Sequence, residues 1–127
     1  DDEIAIPVSR YTETRKEDLV KFDHLQVLID SKESGICMVL DHRLQHIHMF
    51  NHMEYDTNTI GDEYKRDIAK GGNIQLPANY FPNDDPLENP INRWRGNGHL
   101  LFGNWLNYIY QSTPYDIDMI GFDGDSI

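Results

Sequence analysis

Three short runs of β-favouring residues lie close together in the first half of the chain. They are Leu25 to Ile29, Gly35 to Leu40 and Gln45 to Phe50, and short polar stretches at 30–34 and 41–44 separate them. Runs of this length with polar connections are typical of a meander or of successive strands of one sheet. The sequence therefore predicts a sheet in this part of the chain.

The apolar period changes after Asp56. Ile60, Tyr64 and Ile68 recur at intervals of four residues, which is the spacing of one face of a helix. Residue types that favour the N-cap begin at Asp56, and Gly71-Gly72 ends the pattern. These signals predict a helix of about four turns.

A loop with four prolines, 73–90, separates this helix from a second one that we predict over Ile91 to Gln111. A helical turn is also predicted between Thr12 and Asp23. The last residues of the acidic tail, 113–127, are expected to fray. The apolar face of the second helix consists of Leu101, Trp105, Tyr108 and Ile109.

Composition narrows the class of protein. The chain has 127 residues, enough for one domain or part of one, and its 22 acidic against 11 basic residues give a net charge of −11. This charge argues against binding to nucleic acid or to an anionic membrane surface, and we expect no membrane-spanning segment. Cys37 is the single cysteine, which excludes an intramolecular disulfide framework and predicts a reducing, cytoplasmic location.

Histidines cluster just before the first long helix. On an extended strand, alternate side chains share a face, which would place His46, His48, Phe50, His52 and Glu54 together. In one interpretation, Glu54 orients His52 as a general base. In a second, the three histidines and Glu54 ligate a metal ion. In a third, His46 and His48 are exposed strand residues without a ligand.

Other polar residues are candidates to accompany such a base. Arg66 either binds the carboxylate of a substrate or forms a surface pair with Asp62, four residues earlier. Cys37 lies inside an apolar run and is better interpreted as buried than as a nucleophile, and the serines lack the strand-to-helix turn that exposes one. The remaining large aromatic residues are interpreted as packing residues: Trp94, Trp105 and Tyr80-Phe81.

Several motifs follow one another in order along nearly the whole chain, from Ser9 to about Ile120. They resemble the C-terminal portion of the homoserine O-acyltransferases of the succinyltransferase type. The motifs are Ser9-Arg10-Tyr11, His48-Met49-Phe50-Asn51-His52-Met53-Glu54-Tyr55-Asp56-Thr57, Tyr64-Lys65-Arg66-Asp67, Pro77-Ala78-Asn79-Tyr80-Phe81-Pro82, Asn92-Arg93-Trp94-Arg95, Leu100-Leu101-Phe102-Gly103-Asn104-Trp105-Leu106-Asn107 and Gln111-Ser112-Thr113-Pro114-Tyr115-Asp116-Ile117.

The resemblance implies an α/β fold, namely the C-terminal part of a class I glutamine amidotransferase-like (flavodoxin-like) three-layer fold with a Cys-His-Glu triad. It implies transfer of a succinyl or acetyl group from acyl-CoA to the hydroxyl of homoserine, through an acyl-cysteine, in methionine biosynthesis. His52 would be the catalytic base and Glu54 its orienting carboxylate. Ser9 and Arg66 match substrate-contacting positions, with Arg66 at the homoserine carboxylate. The resemblance implies no metal, no cofactor besides acyl-CoA as co-substrate, and a homodimer in the full-length enzyme.

The match also has departures. The nucleophilic cysteine of the family belongs to an N-terminal portion that this chain lacks, and Val8 stands where the family usually has histidine. We therefore expect residues 1–127 to be the C-terminal portion of a single catalytic domain, and the isolated chain to be inactive. A non-catalytic binding or interaction module derived from the same fold is the alternative.

Overall fold

The computed structural model describes residues 3–116 and residue 118. A short helix comes first, three strands follow, and the remaining helices come after the strands. The elements are α1 (Lys16–Leu19), β1 (Leu25–Ser31), β2 (Gly35–Asp41), β3 (His46–Met49), α2 (Thr59–Ala69), a single-turn 3₁₀ helix (Pro82–Asp84) and α3 (Arg95–Ser112). The helical turn predicted between Thr12 and Asp23 is α1.

The three strands form an antiparallel meander in the order β1-β2-β3, as predicted. β1 extends two residues beyond its predicted end at Ile29. β3 is shorter than predicted, because Gln45 has a φ of 54° and belongs to the preceding turn. Side chains in these turns bind the backbone and so define where the strands end.

The turn after β2 shows this most clearly. The buried Asp41 carboxylate accepts hydrogen bonds from the backbone N–H groups of Arg43 at 2.8 Å and Leu44 at 2.9 Å. The Leu44 bond does most to hold the pKa of Asp41 below its usual value, although burial acts in the opposite direction. In the turn before β2, the Ser31 hydroxyl accepts the N–H of Ser34 at 3.2 Å.

The core surrounds the central strand. Four consecutive residues of β2, from Ile36 to Val39, are buried, so both faces of this strand are covered. Cys37 is 4% exposed, which confirms the prediction that it is a buried residue. The other buried apolar residues all follow β3 in the sequence: Met53, Ile60, Phe81 and Trp94.

The two longer helices differ from their predictions at their first residues. α2 has 11 residues, or three turns, because it begins at Thr59 instead of near Asp56, and Gly71 with a φ of 81° follows its end. α3 begins four residues later than predicted. The side-chain oxygen of Asn92 accepts the N–H groups of Trp94 and Arg95, which turns the chain into the helix.

Much of the apolar face of α3 is exposed, including Trp105 at 39%. None of the helices within residues 3–116 and 118 is long and apolar enough to cross a bilayer. Helices and a sheet together agree with the predicted α/β class. The three-layer amidotransferase-like arrangement stays a prediction, and the expected fraying of the tail concerns residues outside the described ranges.

Candidate functional site

The segment between β3 and α2, residues 50–58, contains the candidate site, and we call it the site loop. His52 Nδ1 lies 2.7 Å from Glu54 Oε1, so the structure brings together the two residues proposed as base and orienting carboxylate. The predicted shared strand face is wrong, because β3 ends at Met49 and the pair meets through a turn. His46 and His48 stay on the strand with exposed side chains.

Both ring nitrogens of His52 face hydrogen-bond acceptors. Nδ1 faces the Glu54 carboxylate, and Nε2 lies 3.3 Å from the backbone carbonyl oxygen of Ser9. Burial raises the pKa of Glu54, but the hydrogen bonds from His52 and from its own backbone outweigh burial, and the net pKa is lowered. Glu54 therefore stays ionised near neutral pH, and the imidazolium form of His52 satisfies both partners.

The N-terminal segment positions this Ser9 carbonyl. The backbone N–H of His52 donates to the carbonyl of Pro7 at 2.9 Å, which places residues 7–9 beside the site loop. The Arg10 guanidinium donates to the carbonyl of Ile36 in β2 at 2.9 Å and also to the carbonyl of Ser34, directly before β2. Long-range hydrogen bonds to backbone carbonyls thus bring Ser9, another predicted site residue, next to His52.

Tyr55 is a residue of the site that the sequence reasoning missed. Its ring stacks on the His52 imidazole with a centroid separation of 4.3 Å and an interplanar angle of 17°. Its hydroxyl donates to Glu63 of α2 at 3.1 Å. Burial, followed by the Glu63 carboxylate, raises the pKa of Tyr55, so the phenol stays protonated. The sequence signal for this role was its position, directly after Glu54 and three residues after His52.

Aromatic residues from the second half of the chain hold the site loop. Trp94 and Phe81 are buried, as expected of packing residues, but Trp94 Nε1–H also donates to the carbonyl of Tyr55 at 2.8 Å. The Tyr80 hydroxyl donates to the carbonyl of Thr57 at 2.6 Å. The indole N–H of Trp94 and the hydroxyl of Tyr80 therefore fix the loop backbone. Their interpretation as packing residues does not reveal this role.

His52 and Glu54 line a cavity of about 350 Å³. Apolar side chains from β3 and α3 form most of its remaining wall, so the imidazole faces an apolar surface on one side. A separate cavity of about 440 Å³ lies between residues 4–8 and the proline-rich loop, and neither His52 nor Glu54 lines it. The other residues of the His52 cavity are Ile47, Met49, Asn51, Leu101, Phe102 and Trp105.

Arg66 lies in the last turn of α2, and its guanidinium binds the neighbouring carboxylate of Asp67 through two hydrogen bonds of 2.7 and 3.1 Å. The alternative that it pairs with Asp62 is therefore wrong. The side chain of Arg66 is 53% exposed, so its fork is open to solvent as well as to Asp67. A free carboxylate from solvent can compete for such a fork.

The metal interpretation finds no matching geometry. Among residues 3–116 and 118, no group of three or more His, Cys, Asp or Glu side chains is placed to hold a metal ion. Cys37 is bound within the core, because its thiol donates to the carbonyl of Gly35 and accepts the side-chain N–H of Asn51 at 2.8 Å. This places Cys37 away from the role of a free nucleophile.

Comparisons with known proteins agree with the family resemblance seen in the sequence motifs. The family model described as homoserine O-succinyltransferase matches residues 1–115. A homoserine O-acetyltransferase of Rhizobium leguminosarum bv. trifolii is 51% identical over 122 residues, which are 96% of this chain and 40% of that protein. A homoserine O-acetyltransferase of Brucella canis is 56% identical over 120 residues, which are 94% of this chain and 39% of that protein.

The chain thus spans about two fifths of the length of the curated relatives it matches. The matched region contains β1 to β3, α2, α3 and the whole site loop. The resemblance seen in the motifs is confirmed by both kinds of comparison, and the chain belongs to the homoserine O-succinyltransferase family.

Proposed function

We propose that this chain supplies the base and its orienting carboxylate to a homoserine O-acyltransferase of methionine biosynthesis. The observation that carries the proposal is the 2.7 Å contact between His52 Nδ1 and Glu54 Oε1 at the edge of a cavity. The names of the matching family and of the relatives in Rhizobium and Brucella support the reaction class. The nucleophilic cysteine would come from a part of the enzyme outside residues 1–127.

The proposed reaction has two acyl transfers. In the first, the cysteine thiolate attacks the thioester of acyl-CoA, the acyl–sulfur bond of CoA breaks, and CoA leaves as its thiol with a proton from His52. In the second, the homoserine hydroxyl attacks the acyl-cysteine while His52 takes its proton. The thiolate is released, and the product is O-acylhomoserine.

The electrostatics of the pair suit this task. His52 must alternate between neutral imidazole and imidazolium, and the ionised Glu54 stabilises the charged form while it keeps the Nδ1 proton in place. For Nε2 to reach a thiol or hydroxyl, it must exchange its 3.3 Å contact with the Ser9 carbonyl for the reacting group. Ser9 therefore borders the position at which the proton is transferred.

Arg66 and Ser9 are the substrate-contacting residues of this proposal. The guanidinium of Arg66 matches a carboxylate with two parallel hydrogen bonds, and its exposed fork already forms this arrangement with Asp67. In the proposed complex the homoserine carboxylate takes the place of Asp67 on Arg66. The acyl donor is either acetyl-CoA or succinyl-CoA, because the relatives carry the first name and the family model the second.

The test uses the complete reading frame that encodes this chain. Purified protein is given homoserine with acetyl-CoA or with succinyl-CoA, and release of the CoA thiol is followed. We expect homoserine-dependent release with one donor, and a loss of at least about 100-fold in His52→Ala. His48→Ala is the matched control, because His48 is exposed on β3. Equal activity of His52→Ala and His48→Ala would refute the role of His52.

A further inference from the structure

Three contacts surround the His52 imidazole, and two of them, at the ring nitrogens, leave the plane of the ring free to tilt. The Glu54 carboxylate that faces Nδ1 belongs to a side chain that is 60% exposed, and the Ser9 carbonyl lies 3.3 Å from Nε2. Hydrogen bonds to an exposed carboxylate compete with water and permit rotation of both partners. The third contact, the stacked Tyr55 ring at 4.3 Å, covers a face of the imidazole.

We propose that Tyr55 is a positioning residue, which together with Glu63 sets the plane of the His52 imidazole for proton transfer. The inference rests on the proposed function, because it assigns a role toward the same base. Tyr55 touches neither the nucleophile nor the substrate in this proposal. It acts through His52.

The ring of Tyr55 is suited to this role because it is held at both ends. Its hydroxyl donates to Glu63 on α2 at 3.1 Å, and its backbone carbonyl accepts the indole N–H of Trp94 at 2.8 Å. Trp94 is itself 5% exposed, so this second anchor lies in the core. A platform fixed by a helix and by the core restricts the tilt of a ring stacked 17° from parallel.

Stacking also suits the charge that His52 acquires during the reaction. The groups that face the imidazole are the Glu54 carboxylate, the Ser9 carbonyl and the Tyr55 ring, and Glu63 lies beyond the Tyr55 hydroxyl. The electron-rich face of a tyrosine attracts an imidazolium more than it attracts a neutral imidazole. Tyr55 therefore orients the base with a ring face that can also lie against the charged imidazolium.

The experiment compares Tyr55→Leu, Tyr55→Phe and a matched control in the complete reading frame. Tyr55→Leu removes the platform, and we expect kcat to fall about three- to tenfold while the homoserine KM stays within about twofold. Tyr55→Phe keeps the ring and loses the Glu63 bond, so most of kcat is expected to return. The control is Tyr64→Leu. Tyr64 is a tyrosine of α2, and its ring packs against Phe81 instead of His52. We expect Tyr64→Leu to lower stability without changing kcat.

The outcomes separate this inference from the proposed function. An unchanged kcat in Tyr55→Leu would overturn the role of Tyr55. If wild type is active and His52→Ala is inactive in the same assay, the proposed function still stands. A wild type without acyltransferase activity would overturn the proposed function itself. The role of Tyr55 in proton transfer would fall with it, and NMR would then test the stacking alone: stacking displaces the His52 ring-proton resonances upfield through the Tyr55 ring current. Resonances at the same positions in wild type and Tyr55→Leu would overturn it.

Discussion

Trp94 and Trp105 offer a direct test of how the site loop is held, because the same substitution removes different interactions at the two positions. Trp94 is 5% exposed and its indole N–H donates to the Tyr55 carbonyl at 2.8 Å, whereas Trp105 is 39% exposed on α3. Phenylalanine keeps an aromatic ring in both places. It removes the indole donor and part of the ring volume.

The magnitude follows from these two losses. A carbonyl left without its partner costs about 1–1.5 kcal/mol, and the smaller ring in a packed core costs about 1 kcal/mol more. We therefore expect Trp94→Phe to lower the free energy of unfolding by about 2–2.5 kcal/mol. For Trp105→Phe we expect a change of less than about 0.5 kcal/mol, since the side chain stays partly in water.

Urea unfolding followed by circular dichroism measures both values. With a slope of about 1.5 kcal/mol per molar urea, the midpoint of Trp94→Phe is expected to fall by roughly 1.5 M. The chain has two tryptophans, so each variant retains one, and its fluorescence reports on the site loop or on α3 separately. Equal midpoints for Trp94→Phe and Trp105→Phe would refute the claim that the indole bond to Tyr55 stabilises the loop.

Two further predictions concern a turn and a substrate contact. Asp41 has a lowered pKa in the fold, so its contribution to stability is fully present above the usual pKa and is lost as the pH falls through the folded value. Asp41→Asn is therefore expected to be less stable than wild type at pH 6 and to approach it at pH 3 in thermal unfolding, and a constant difference would contradict this. Arg66→Lys in the complete reading frame is expected to raise the homoserine KM at least about tenfold, because lysine lacks the guanidinium fork, while the thermal midpoint stays unchanged since the pair with Asp67 is exposed. An unchanged KM would refute the assignment of Arg66.

The meander and both long helices were predictable because their signals are local. Alternating or continuous apolar runs predict strands, and Ile60, Tyr64 and Ile68 mark one face of α2. The first residues of β1 and β2 were predicted correctly, whereas those of α2 and α3 were harder to predict. Asn92 takes two backbone N–H groups with its side chain and delays the start of α3, and nothing in the apolar period reports that competition.

The site was predictable in part for a similar reason. His52 and Glu54 are two residues apart, so their proximity follows from the sequence, although the turn that joins them differs from the expected strand. The bonds that fix Tyr55, from its hydroxyl to Glu63 and from the Trp94 indole to its carbonyl, depend on how the loop meets α2 and the second half of the chain. Such contacts arise from tertiary packing, and a period or a spacing does not contain them.

The contacts of the site loop join residues that are far apart along the chain, and this has a consequence for folding. The bond from His52 to Ser9 spans 43 residues and that from Trp94 to Tyr55 spans 39, whereas the turns of the meander connect strands that are neighbours in sequence. Closing a long loop costs more chain entropy than closing a hairpin, so the sheet can form before the site exists. A preparation with a full β-sheet signal can therefore lack a built site. The near-ultraviolet signals of Tyr55 and Trp94 are the better measure of the native state.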